Sequence, residues 1–124
     1  MENNKIKSFT DLIAWQESHQ LVLIIYKMLK TFPKEEVFAL TDQMRRCSIS
    51  ISSNIAEGFS RQGKKEKMQF YYMAKGSLTE LQNQLLVSRD VGYISKEKFT
   101  EIADQTVLVH KLLNGLLKSC FAKY

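Results

Sequence analysis

Apolar residues recur along the chain at alternating steps of three and four, in four separate stretches. The first runs Leu12, Trp15, His19, Val22, Tyr26, Leu29, and the second Val37, Leu40, Met44, Cys47, Ile51, Asn54. The third runs Tyr71, Ala74, Leu78, Leu81, Leu85 and fades at Ser88; the fourth runs Phe99, Ile102, Thr106, Val109, Leu113, Leu116, Cys120. Residues at these spacings fall on one side of a 3.6-residue helix, so each stretch predicts an amphipathic helix with a stripe to bury. The expected helices cover about 9–31, 36–60, 64–90 and 96–121, rods of similar length that suit one bundle.

The breaks have local causes. Pro33 cannot donate a backbone hydrogen bond and restricts Phe32, which ends the first helix near Thr31. Gly63 and Gly92 are expected to take the left-handed turns that close the second and third helices. Ser95 is a candidate N-cap for the fourth, and Ser8 with Asp11 resembles a capping box for the first, with Asp in place of the usual Glu or Gln. All three links are short, which favours antiparallel neighbours. The expected fold is therefore all-α: an antiparallel up-down-up-down four-helix bundle, one domain over residues 1–124. Only Cys47-Ser48-Ile49-Ser50-Ile51-Ser52 resists, alternating like a strand. No partner strand exists elsewhere, and a lone strand leaves its backbone groups unpaired, so helix is expected there too.

Some residues exceed what a simple bundle needs. The first helix carries a second apolar row, Leu21, Ile25, Met28, Phe32, and the third opens with Phe70-Tyr71-Tyr72-Met73, whose side chains cannot all face one core. Either the core stripe is broad, or Leu21, Ile25, Phe70 and Tyr72 meet another copy of the chain. Small residues gather in the second helix, and Gly76 and Ser77 sit in the third; close helix approach is one reading and a ligand groove the other. A polar row of Arg46, Ser50, Asn54 and Glu57 includes an amide on the apolar seam. Such a network would fix register, with Glu80 as a candidate partner for Arg46 or Asn54 and Glu57 for Arg61.

Composition narrows the function classes. Of 124 residues, 44% are hydrophobic and 25% charged, with five Gly and one Pro, too few for a low-complexity chain. The longest apolar run, Leu21–Tyr26, is far short of a membrane span, and no secretory leader is evident at the N-terminus, so a cytoplasmic location is expected. His19 reads as a structural histidine and His110 as an exposed one. Cys47 and Cys120 fall at core positions, and neither metal-ligand spacing, a phosphate-cradling loop nor a nucleophile motif is present. No enzyme, metal or cofactor is expected. The net charge is +5, with eight bases against seven acids in residues 1–62 and ten against six in 63–124. The densest basic run is Arg61-Gln62-Gly63-Lys64-Lys65-Glu66-Lys67, with Arg45 further back on the second helix. Arg45, Arg61, Lys64, Lys65 and Lys67 are therefore the candidate phosphate contacts, against the alternative of a solvated helix start.

These residues also carry a resemblance. Phe9-x-Asp11-Leu12-x-x-Trp15-Gln16, Phe32-Pro33-x-Glu35, Leu40-Thr41-x-Gln43-x-Arg45-Arg46, Ser50-x-x-x-Asn54-Ile55-Ala56-Glu57-Gly58 and Ala74-x-Gly76-Ser77-Leu78-x-Glu80 together resemble the four-helix-bundle proteins encoded by intervening sequences in bacterial 23S ribosomal RNA genes. The resemblance spans nearly the whole chain. It implies a ring-shaped homo-oligomer, pentameric in relatives, and puts Arg46, Asn54, Glu57, Gly58, Gly76, Ser77 and Glu80 in the family signature. A similar fold occurs in accessory proteins of retroelements that engage RNA and a reverse transcriptase through basic surfaces. The implied partners are thus further copies of the chain, RNA, and a protein such as a reverse transcriptase. The alternative is an adaptor that binds a protein partner with no nucleic-acid role.

Overall fold

The computed structural model describes residues 5–121, which form four α-helices and two 3₁₀ turns, with no strand among them. Helix α1 spans Ile13–Leu29, α2 Leu40–Ser60, α3 Lys64–Asp90 and α4 Lys96–Phe121. Each helix packs on the next, and α1 closes the set against α4. Partner residues run in opposite senses along neighbouring helices. On α2, Met44, Cys47, Ser50 and Gly58 meet Ser88, Ser77, Ser77 and Tyr71 of α3. Gln82 and Arg89 of α3 meet Thr106 and Phe99 of α4.

Helix ends follow the local chemistry. Ser8 and Asp11 form the capping box, but it closes a 3₁₀ turn at Phe9–Asp11 rather than starting α1, which begins one residue past Leu12. Gly92, with φ of 85°, ends α3: Tyr93 N–H donates to Ser88 O and Gly92 N–H to Arg89 O, the paired bonds of a Schellman motif. Ser95 Oγ accepts from Lys98 N–H at 3.1 Å and caps α4. Gly63 departs from expectation. It is extended, with φ of −81°, and stands as the N-cap of α3, because the link from α2 is short enough to run straight through without a left-handed residue.

The second helix starts later than its seam suggests. After Pro33 a 3₁₀ turn occupies Lys34–Glu36, and the Glu36 carboxylate accepts from Leu40 N–H at 3.3 Å, so the α-helix nucleates at Leu40. Val37 consequently leaves the seam, and Phe38 stands 94% exposed. The alternating stretch 47–52 is helical. Buried Ser48 and Ser52 donate to the carbonyls of Arg45 and Ile49, three residues back, so their hydroxyls are satisfied without a strand partner. In the other helices, buried Ser18 and Ser88 donate to carbonyls four residues back and Thr106 to one three back.

The core stripe of α1 is broader than its main seam. Ala14, Ser18, Leu21, Ile25, Met28 and Phe32 face inward at steps of four and three, and of the other row Val22 and Leu29 are buried too, whereas Trp15 and His19 are half-buried and Tyr26 is exposed. Leu21 and Ile25 are fully buried within the single chain, so neither is available to a second copy. With Met44, Ile51, Ile55, Leu78, Leu81, Leu85, Ile102, Val109 and Leu113 they fill the interior, each large side chain worth about 1.5–3 kcal/mol on leaving water. Ser88 is buried as well, extending the α3 stripe one step beyond Leu85.

Candidate nucleic-acid interface

The turn between α2 and α3 is built on a close approach. A Cβ placed on Gly58 would lie 2.6 Å from Tyr71 Cε1 and 3.1 Å from Phe70 Cβ, so only glycine lets the two helices converge here. Gly76 does not share this role. It faces open space, and its lack of a side chain serves no packing within the chain. Tyr71 is buried, and burial, with Cys120 beside it, pushes its phenol up to about 12. Gly58, Tyr71 and Cys120 thus lie at one level of the bundle, and Leu12 with Leu116 line a cleft between the start of α1 and the last turns of α4.

At this end Lys67 and Arg61 also hold the α2–α3 turn together. Lys67 donates to the carbonyls of Phe59 (2.8 Å) and Gly58 (3.3 Å) at the end of α2, the latter also accepting from Arg61 N–H, with its ammonium 5.4 Å from the Phe59 ring. Arg61 pairs with Glu57 at 2.8 Å and lies over the Phe70 ring at 4.7 Å; its Nε is buried without a partner. The expected Glu57–Arg61 pair is therefore present, and half-exposed Phe70 is partly covered by it. Lys64 and Lys65 are exposed on the first turn of α3. Arg45 does not join them. It lies 16 residues earlier on α2, roughly 24 Å along the axis, half-buried with its guanidinium 5.4 Å from the Tyr26 ring.

Three further lysines reach the same end. Lys5 and Lys7 precede α1 and Lys118 rides the last turns of α4. Segments 5–12, 57–67 and 113–121 together hold seven bases and three acids; the other described residues hold ten and nine. Four of the seven come from the Arg61–Lys67 run already visible in the sequence, whereas Lys5, Lys7 and Lys118 join them only through the fold, with lysines near the ends of the first and fourth helices as their linear signal.

The polar row forms a smaller network than expected. Asn54 Nδ2 donates to Ser50 O (2.8 Å) and Ser50 Oγ (3.1 Å), and Ser50 Oγ shares a hydrogen bond with Ser77 Oγ at 2.9 Å. Cys47 Sγ donates to Ser77 O at 2.9 Å. Arg46 pairs with Asp42, one turn earlier, at 3.0 Å instead of crossing to Glu80, since an i,i+4 partner on the same helix needs no reach across the groove. Glu80 lines a shallow cleft with Arg46, Cys47, Ser50 and Ser77. Burial, then the nearby Glu80 charge, pushes the Cys47 thiol up to about 12, which leaves it an inert neutral group. His19 stacks on Trp15, ring centroids 4.8 Å apart.

Among the described residues no three His, Cys, Asp or Glu side chains gather in a way that would hold a metal ion, and no helix is long and apolar enough to cross a membrane. A search of curated proteins finds no match. Among solved structures, the chain is similar to a protein of unknown function from the S23 ribosomal protein family of Bacteroides thetaiotaomicron VPI-5482. The identity is 21% and the TM-score 0.79, covering 86% of this chain and 99% of that one. That likeness supports the fold. The family model for 23S rRNA-intervening sequence proteins matches residues 10–115, the four helices from the first 3₁₀ turn to late in α4, and the chain belongs to that family.

Proposed function

We propose that this protein is a non-enzymatic RNA-associated bundle whose basic end contacts phosphates. The carrying observation is the concentration of charge: seven bases and three acids at one end, near-balance elsewhere. Phosphates draw such a surface without reading sequence, and the attraction weakens as salt rises. Lys5, Lys7, Lys64, Lys65 and Lys118 are the phosphate-facing groups in this reading. Arg61 and Lys67 contribute field while holding the α2–α3 turn together. The helix registers support an up-down-up-down order, which brings α1 and α3 starts to the ends of α2 and α4.

Self-association is the second part of the proposal. With Leu21 and Ile25 in the core, the apolar groups left for it are the exposed Phe38 before α2 and, nearer the other end, half-exposed Tyr72 and Met73 on α3. A ring, pentameric as in relatives, would multiply the basic ends and raise avidity for one long polyanion. Fluorescence anisotropy with a short single-stranded RNA across a salt series tests the first part. Changing Lys7, Lys65 and Lys118 to Gln should weaken binding several-fold and flatten the salt slope by about 0.7 for each phosphate no longer neutralised. An unchanged affinity and slope would remove this site, and absence of RNA retention by the native chain at low salt would favour the adaptor reading.

A further inference from the structure

At the opposite end of α1 from the basic cluster, a cleft of about 600 Å³ opens between the last turns of α1, the Gly92 turn and the start of α4. Its apolar surface comes from Ile24, Met28, Tyr93 and Ile94. The Tyr93 hydroxyl is already committed, donating to Glu36 Oε2 at 2.7 Å, and its ring packs on Phe32 with centroids 5.1 Å apart, so Tyr93 is held in place as a wall.

The polar groups around this apolar floor are unbalanced. Lys27, Lys30 and Lys98 line the cleft with one carboxylate, Glu101, and that carboxylate is bound to Lys98 at 3.2 Å. The Lys27 and Lys30 ammonium groups have no ion-pair partner among the described residues. Ser95 Oγ accepts from Lys98 N–H, which leaves its own O–H free to donate, and it stands at the N-terminus of a 26-residue helix, where partial positive charge collects. Lysines near the end of α1 suit that helix's dipole by themselves. The dipole does not account for an apolar floor beside them or for a third lysine on the facing helix. Volume, apolar lining and a few convergent donors are the attributes of small-molecule sites.

We propose that this cleft binds a small soluble amphipathic carboxylate, its apolar body on Ile24, Met28 and Ile94 and its anionic head on Lys27, Lys30 and Ser95. This inference is independent of the RNA reading, since its residues lie away from the basic end.

The test is a titration of the full chain followed by NMR, reading the Ile24 and Ile94 methyls and the Ser95 amide, with decanoate, decan-1-ol and acetate as probes. Decanoate should shift all three saturably, and decanol or acetate should bind about tenfold more weakly or not at all, since each lacks half of the recognised chemistry. Lys27→Gln with Lys30→Gln, both exposed in the last turn and C-cap of α1, should weaken decanoate about tenfold and leave RNA affinity unchanged. Equal binding of decanol and decanoate would identify a plain greasy face and overturn the proposal. So would undiminished decanoate binding by the double variant, or a loss of RNA affinity in it, which would make the cleft part of the polyanion surface.

Discussion

The Lys67 ammonium lies 2.8 Å from the Phe59 carbonyl oxygen and 3.3 Å from that of Gly58, so a side chain in the first turn of α3 closes the last turn of α2. A lysine at a helix N-terminus opposes its own helix dipole. Here the opposition is offset by the neighbouring C-terminus, where the helix dipole favours a cation. Lys67→Met keeps the stem and removes the charge. It should destabilise the fold by about 1 kcal/mol, read as a lower urea midpoint at unchanged m-value.

Two of the helical glycines, Gly58 and Gly76, should respond in opposite senses. Gly58→Ala gains helix propensity of about 1 kcal/mol but drives a methyl into the buried Tyr71 ring, where overpacking costs about 1–3 kcal/mol, so the variant should be less stable. Gly76→Ala meets nothing within 4 Å and should be stabilised by about 1 kcal/mol. Thermal melts of both proteins decide it; a destabilised Gly76→Ala would show that the open space is filled in solution.

Stability should fall as the medium becomes alkaline beyond pH 9. The Cys47 thiol and Tyr71 phenol are both held up to about 12 by burial, above their ordinary values of 9.0 and 10.0. Between those values and 12 the unfolded chain has released both protons while the folded chain retains them, so rising pH favours unfolding. Below pH 9 neither group contributes a slope. Urea midpoints at pH 7, 9 and 11 should show the decline only in the upper interval. For the same reason Cys47 should resist thiol reagents at pH 8 until denaturant is added.

Phe38→Ser should leave the stability of the single chain within about 0.5 kcal/mol, because the ring is 94% exposed and packs on nothing. If copies of the chain meet through it, the solution mass at a fixed concentration should drop toward 14.4 kDa. Analytical ultracentrifugation of native and variant protein reads both states, and a native chain that sediments at 14.4 kDa would end the self-association proposal.

Helix identity was legible from spacing, and so were most of the ends: Pro33, Gly92 and Ser95 act through their own backbone or side-chain chemistry, which needs no tertiary partner. Where the expectation failed, a distant group intervened. The two apolar rows of α1 are each plausible as a core stripe in isolation, and packing against α2 and α4 buries Leu21 and Ile25 of one with Val22 and Leu29 of the other while leaving Tyr26 outside. The late start of α2 depends on the Glu36 carboxylate, itself held by Tyr93, which is distant in sequence but packed beside it in the fold. Lys64 and Lys65 were findable as a run, whereas Lys5, Lys7 and Lys118 join them only once the chain is folded.

The sequence by itself determined four amphipathic helices, their breaks and the family, because periodicity, proline, glycine and capping residues act over a few positions. Only the tertiary structure decided which stripe is core, which glycine is needed for close approach, and that charge collects at one end while a lysine-rimmed cleft opens at the other. Those properties are sums over residues far apart in the chain, and burial and field exist only after the helices have packed.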